Sequence, residues 1–495
     1  MIIAGYFILV VYLISLIFIT IFCLMQLHLL YRYYNKKLTS SKRSTSHTFM
    51  EEPNLPFITI QLPIFNEKYV VERLIDNVLL LDYPRDKYEV QVLDDSTDDT
   101  INITMAKVAH YKSLGFNIEC LTRLDRSGYK AGALKAATTS AKGEFIVIFD
   151  ADFLPNPDFL KLTIPAFQDP KIGVVQTRWE HLNQHYSLLT EMQAFQLNVH
   201  FTIEQKGRYE AEYLLQFNGT AGIWRKSCID DAGGWEADTL TEDLDLSYRA
   251  QLKGWKIKYL EDVTAPAELP AEINGLKSQQ FRWMKGGAET AKKMLPKVWT
   301  SGISWTKKTQ ATVHLLSSSV FIFVFLLGVF SVPLLFFINP MGIKPESFTV
   351  FLLSLLSIII VYFAANVGKA WPRENKLKMI LKFFLLFPVF LALSMGLAFH
   401  NSLAVMQGWL GKQSAFIRTP KYGANGKSTS IAKKSYFSQK MDWVSVGEGL
   451  LSLYFLGALY IAWAYDMKEF VAMHVLLAVG YLILFGYAIR SKFAQ

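Results

Sequence analysis

With 495 residues, 51% of them hydrophobic, and long uncharged apolar runs, the chain is not a purely soluble protein. It still leaves room for one soluble domain of about 200–250 residues. A net charge of +9 would suit nucleic acid, but the basic residues gather beside apolar segments, as on the cytoplasmic face of a membrane, so nucleic acid is set aside as a partner. Cys23, Cys120 and Cys228 are widely spaced and offer neither a disulfide framework nor a metal-ligand spacing, which fits a reducing compartment.

The first element is "IIAGYFILVVYLISLIFITIFCLMQLHLL". It lacks the basic start, short apolar core and small-residue cleavage site of a signal peptide, and reads as a retained transmembrane helix over 1–31. Arg32, Lys36, Lys37, Lys42 and Arg43 follow in a basic linker over 32–54, so the next domain is expected to be cytoplasmic. Between 55 and 270 short β-rich runs alternate with helical patterns: "FITIQLP", "YEVQVLDDS", "FNIECLTR" and "EFIVIFDAD" as strands, "EKYVVERLIDNVLLL" and "KAGALKAATTSA" as helices. This alternation predicts an α/β domain with a parallel or mixed sheet, in which ligands bind at the carboxyl ends of strands.

Two expected strands end in acids. "FDADF" puts Asp150 and Asp152 past an apolar strand, where two carboxylates can hold a hard divalent cation beside a diphosphate; capping of the next element would explain them equally. "LDDSTDDT" gives Asp94 and Asp95, which can bond a ribose or base edge, and Asp98, which can simply cap a helix. In "RSGYKAGALK", Lys130 stands at a helix start, a place suited to phosphate or to nothing more than helix entry. "TLTEDLDLSYR" sets Glu242, Asp243 and Asp245 in a first helical turn, where acids are favoured anyway; a general base would need one of them to face a pocket.

Residues 271–300 contain "SQQFRWMKGG" and suit an interfacial helix, with Trp and Arg at the membrane boundary. Beyond it, 311–338 and 348–367 form one pair of spans and 443–464 and 470–489 another. The segment "FFLLFPVFLALSMGLAF" at 383–399 has basic flanks on both sides, is short, and contains Pro388. It is therefore expected as part of an interfacial or re-entrant helix over 379–411, giving five spans, or six if it crosses. A basic loop over 412–440 precedes the last pair.

Asp94/Asp95, Asp150-x-Asp152, Thr-Glu-Asp243 and Gln279-x-x-Arg282-Trp283 occur in one order, between an amino-terminal span and a carboxy-terminal membrane region. This set resembles the D, DxD, TED, QxxRW motifs of processive family 2 glycosyltransferases, which include cellulose, chitin and hyaluronan synthases. "QLPIFNE", "VQVLDDSTD", "VVQTRWEHLN" and "FNGTAGIWR" resemble the cellulose-synthase-like glucomannan and xyloglucan-backbone synthases and their bacterial relatives. The resemblance implies a GT-A catalytic domain inserted between transmembrane helices. It implies an inverting hexosyltransferase that elongates, and exports, a β-linked polymer such as β-1,4-glucan or glucomannan.

By that resemblance Asp243 is the general base, and Asp94, Asp95, Lys130, Asp150 and Arg282 bind the nucleotide sugar. Asp152 and Asp150 hold Mg²⁺ or Mn²⁺, while Gln279, Trp283, Asn218 and Glu242 meet the acceptor. "FIRTPK" resembles the gating loop of cellulose synthases, through Phe416, Thr419 and Lys421; Arg418 departs from the usual valine. UDP-glucose and GDP-mannose both fit as donor, with UDP-glucose slightly ahead. The implied partners are the donor, the growing polysaccharide, the bilayer and accessory export subunits. A bacterial inner membrane or, for a plant-like enzyme, the Golgi is the implied place. Neither a cyclic-nucleotide-sensing module after the last span nor a plant-type zinc region before the catalytic domain is expected. Two other readings stand beside this one: a non-processive glycolipid transferase of the ceramide-glucosyltransferase kind, and a transporter or scaffold in which the acids are incidental. Apart from Glu448, near the start of 443–464, the spans lack the intramembrane carboxylates that a carrier usually needs.

Overall fold

A computed structural model describes residues 2–39, 54–344, 348, 351–369, 376–414, 417–423 and 442–493. Its catalytic core is a seven-stranded mixed sheet: β1 (Ile58–Ile64), β2 (Tyr88–Asp94), β3 (Ile118–Leu121), β4 (Phe145–Ile148), β5 (Ile172–His181), β6 (Gly222–Arg225) and β7 (Lys256–Ala267). The strand order is β3-β2-β1-β4-β6-β5-β7. All neighbours run parallel except β6, which is antiparallel to both β4 and β5. This is a GT-A-like mixed sheet, as the sequence alternation predicts.

The inner strands are buried on both faces, and their residues alternate accordingly. Ile58, Ile60 and Leu62 of β1 join one apolar cluster with Val90 and Val92 of β2. The intervening Thr59 and Gln61 pair across the register with Glu89 and Gln91, at 2.7 and 3.0 Å. Each pair is thereby joined by one hydrogen bond, although Gln61 Oε1 stays buried without a partner among the described residues. The strand order reverses between β1 and β4. At such a switch point the strand ends open a crevice, and Asp94, Asp95 and Asp150 lie there, together with the turn after β1.

Among the described residues five helices are long and apolar enough to cross a membrane: Ile3–Asn35, Ser317–Phe337, Lys376–Gly396, Trp443–Ala464 and Lys468–Arg490. The total agrees with the sequence expectation, but its members differ. Lys376–Gly396, expected as part of an interfacial or re-entrant helix, is one of the five, and within the expected span 348–367 the described residues form the apolar helix Leu353–Gly368. The expected span 311–338 is broken: a polar helix Trp305–Leu315 is separated from Val320–Phe337 by the serine turn Ser317–Ser319. The first helix, Ile2–Thr39, exceeds the roughly 20 residues a bilayer needs. Its later turns pack Leu29, Leu30 and Tyr33 against Val199 and Ile203 of the catalytic domain.

Candidate active site

Gly219 lies at φ +80°, in the left-handed region that glycine occupies without strain. A Cβ here would stand 3.1 Å from Asp243 Oδ2 and 3.6 Å from Lys130 Nζ. The bare backbone therefore lets a base and a cation approach one point. Lys130 Nζ donates to Asp150 Oδ1 at 2.5 Å and to the Gly219 carbonyl at 3.0 Å. Burial alone would lower the Lys130 pKa, yet the Asp150 and Glu242 carboxylates hold it above the ordinary lysine value.

Asp243 opens the helix Glu242–Leu252. Burial, followed by the neighbouring Glu242 charge, pushes its carboxyl up to about 7. Burial raises Glu242 as well. Arg282, on the helix Ile273–Thr300, donates to the Ile417 carbonyl at 2.7 Å and to Thr419 Oγ1 at 2.9 Å. Burial brings its guanidinium down to about 10.

The segment 417–423 thus lies against the catalytic domain. Lys421 Nζ reaches Asp152 Oδ2 at 2.7 Å and the Glu268 carbonyl at 2.9 Å. Arg418 Nη1 pairs with Glu67 Oε2 at 2.9 Å. Burial raises the Glu67 carboxyl to about 8, even with Arg418 and Lys421 pulling it down.

Asp95 and Arg123 form an ion pair with two contacts, the longer at 3.0 Å from Nε to Oδ1. The Arg126 guanidinium stacks 3.2 Å from the centre of the Phe65 ring. Together these offer a flat cationic surface and a carboxylate, partners suited to a nucleoside.

Apart from Arg123 and Ile417, these residues line one cavity of about 650 Å³. It runs from Asp95, Arg126 and Lys130 past Asp150, Asp152, Asn218, Glu242, Asp243, Gln279, Arg282 and Trp283. It continues between membrane helices, where Ile19, Cys23, Leu327, Ser354, Met473 and Leu476 form its wall. Thr419 and Lys421 line it too. One candidate falls elsewhere. Asp94 is absent from the lining: it is buried, and its Oδ1 accepts the Ser96 N–H at 2.8 Å, which shapes the turn after β2. Phe416 lies outside the described residues.

The donor set suits a hard divalent cation. Asp150 and Asp152 each spend one oxygen on a lysine and keep the other without a hydrogen bond among the described residues. The one convergent acidic triad among those residues, Glu236, Asp238 and Asp245, is absent from the cavity lining and is bridged by Lys293 and Arg249.

The lining also includes residues that no motif pointed to: Glu67, Arg126, His200 and Glu204. Glu67 follows a strand end and could have been found by the same rule as Asp150. His200 and Glu204 sit in a helix and carried no comparable signal.

A mixed sheet with Asp95, Asp150 and Asp152 at its strand ends, Lys130 and Lys421 beside those acids, and a buried Asp243 in one cavity fit a nucleotide-sugar transferase domain of the GT-A kind. The sequence profile described as "Glycosyltransferase like family 2" matches residues 53–286, and the chain belongs to that family. "Glucomannan 4-beta-mannosyltransferase 2" of Arabidopsis thaliana is 43% identical over 250 residues, which are 50% of this chain and 47% of that protein. "Probable glucomannan 4-beta-mannosyltransferase 3" of the same plant is 36% identical over 423 residues, 82% of this chain and 72% of that protein. The chain thus spans about half the length of the first relative and nearly three quarters of the second. Among solved structures, a Pyrobaculum calidifontis mannosyltransferase in complex with GDP-Man and Mn²⁺ aligns with 72% of this chain and all of that one, at 20% identity and a TM-score of 0.49.

Proposed function

We propose that the chain is a membrane-embedded, inverting hexosyltransferase that extends a β-1,4-linked mannan or glucomannan from GDP-mannose and feeds the product into its own membrane helices. The observation that carries this reading is the single cavity that joins the donor groups, the Asp243 carboxyl and the apolar wall between membrane helices. A soluble donor needs the first part, and a lengthening polymer needs the last. The relatives' names move the preferred donor from UDP-glucose to GDP-mannose. The same names favour polysaccharide over glycolipid as the product.

In the proposed reaction, Asp243 takes the proton from a hydroxyl of the terminal acceptor sugar. That oxygen attacks the anomeric carbon as the bond from carbon to the diphosphate oxygen breaks on the opposite face. Lys130 and Arg282 offset charge on the departing diphosphate, Asp95 and Arg126 hold the nucleoside, and Gln279 and Trp283 carry the acceptor sugar. Asp150 and Asp152 would hold Mg²⁺ or Mn²⁺, which stabilises the leaving diphosphate when bound. Thr419 and Lys421 close over the donor.

The catalytic domain is assigned to the cytoplasmic side, and the segment 376–409 to a hairpin that returns to that side. Two contacts support the hairpin: Lys382 Nζ meets Glu191 Oε1 of the catalytic domain at 3.1 Å, and the Trp409 carbonyl accepts from Lys292 Nζ at 3.0 Å. Accessory export subunits belong to the same proposal.

Purified full chain in nanodiscs, given labelled GDP-mannose or UDP-glucose with Mg²⁺ or Mn²⁺, tests the assignment. A long glycan degraded by β-1,4-mannanase is expected. A lipid-soluble product carrying one sugar would overturn it.

A further inference from the structure

Between the helices Leu188–Asn198 and Lys206–Glu210 the chain makes a π-helical turn, Val199–Gln205. Such a turn departs from α-helical hydrogen-bond spacing and is frequent at functional sites. This one sends His200 and Glu204 into the cavity. His200 Nδ1 lies 3.0 Å from Glu204 Oε2, and its Nε2 lies 2.9 Å from Asn218 Oδ1. Arg208 stands 3.7 Å from the same Glu204 oxygen. Burial would raise the Glu204 pKa, but the His200 hydrogen bond and the Arg208 charge hold it at about 2.

An ionised carboxylate only accepts, so His200 Nδ1 carries a proton toward it. The other ring nitrogen then selects which end of the Asn218 amide it meets. In the orientation given, the Asn218 NH₂ is buried without a partner while its oxygen faces the ring. Turning the amide over satisfies a neutral ring, whereas a doubly protonated ring keeps it as it stands. In both cases His200 orients Asn218.

Asn218 in turn adjoins the reacting point. Its own N–H donates to Gln176 Oε1 at 2.8 Å, and the next residue, Gly219, is the one packed against Asp243 and Lys130. The pair thus sits on the membrane side of the base, where its neighbours Val199 and Ile203 pack on the first helix.

We propose that His200 and Glu204 form a positioning pair that fixes the Asn218 amide against the hydroxyls of the terminal acceptor sugar, and so govern acceptor use rather than donor binding. This rests on the polymerase reading above. The imidazole does not touch the reacting atoms; it acts through Asn218.

The test uses full-length chain in nanodiscs with GDP-mannose, Mn²⁺ and a β-1,4-mannohexaose acceptor. His200→Phe and Glu204→Gln are compared with wild type, and His200→Gln, which keeps a polar group, serves as the conservative variant. Acceptor KM, donor KM and the ratio of elongated product to free mannose (transfer to water) are read together. For His200→Phe the acceptor KM is expected to rise about tenfold, the worth of one hydrogen bond to a polar group. The ratio falls in step, donor KM stays put, and His200→Gln recovers part of the loss. A parallel decline of elongation and hydrolysis, or an unmoved acceptor KM in all three variants, overturns the proposal. Wild type that hydrolyses GDP-mannose yet never extends the acceptor would instead overturn the polymerase reading beneath it.

Discussion

Replacing Asp243 by Asn tests the chemistry most directly. The carboxyl is lifted to about 7 by burial and by Glu242 beside it. A base with that value is about half ionised at pH 7 and about one-tenth ionised at pH 6. The wild-type kcat/KM should therefore fall about tenfold per unit on the acid side of neutrality, an acid limb shared by the Asp243/Glu242 pair. Asn cannot accept the acceptor proton, so Asp243→Asn should lose about 10²- to 10⁴-fold in rate and lose the limb with it.

Stability should move the other way. Because the folded pKa is raised, the protonated form is the one that folding favours. Its contribution is fully present below the unfolded carboxyl value and is lost as pH rises through about 7. Asp243→Asn should accordingly melt above wild type at pH 8 and level with it near pH 4. The assay is initial-rate transfer of labelled mannose between pH 5.5 and 9, with melting curves of the same samples. A variant that keeps more than about a tenth of the wild-type rate, or a wild-type profile flat from pH 6 to 8, would refute the general-base assignment.

Asp152→Asn should raise the Mn²⁺ concentration for half-maximal transfer while GDP binding without metal is retained; an unchanged metal titration would remove Asp152 from the cation site. Lys421→Met deletes the 2.7 Å contact to Asp152, and donor KM should rise about tenfold or more, as for other bonds between charged groups; donor titrations in nanodiscs check it. Gly480→Leu places a Cβ 2.0 Å from the Ala392 carbonyl where two membrane helices cross. It should destabilise by about 1–3 kcal/mol or more, seen as a lower Tm in detergent.

The sheet was legible from its alternating strand and helix patterns, and the rule that acids at strand ends face the crevice pointed to Asp95, Asp150 and Asp152, which line the cavity. Asp94 and Asp95 show the limit of that rule. Asp94 is the last residue of β2 and is buried, whereas Asp95 follows the strand. Asp95 lines the cavity, and Asp94 instead bonds Ser96. The partners of Arg418 and Lys421 were hidden for another reason. Glu67–Arg418 and Asp152–Lys421 join residues hundreds of positions apart, and no local pattern encodes such a pairing. His200 and Glu204 were hidden because a π-turn is a departure from helical spacing, whereas sequence reading assumes that spacing. In the membrane region, hydropathy alone could neither break 311–338 at its serines nor tell a crossing helix from one that returns.

The reversed direction of β6 reaches further than the sheet itself. In a wholly parallel sheet, one rim collects only the segments that leave strands. Because β6 runs backward, with Gly222 opposite Ile148, the segment that enters it, Asn218–Ala221, arrives at that same rim. Departing segments supply Asp95, Asp150 and Glu67; an arriving one supplies Asn218 and Gly219. Under the proposed function, acceptor and nucleotide thus meet pieces of chain with separate origins in the topology. The arriving segment is nonetheless tied to the strand end it faces, since Lys130 Nζ donates to the Gly219 carbonyl at 3.0 Å and the Asp150 N–H donates to Thr220 Oγ1 at 2.8 Å, so a change at 219 or 220 reaches the acids beside it as well.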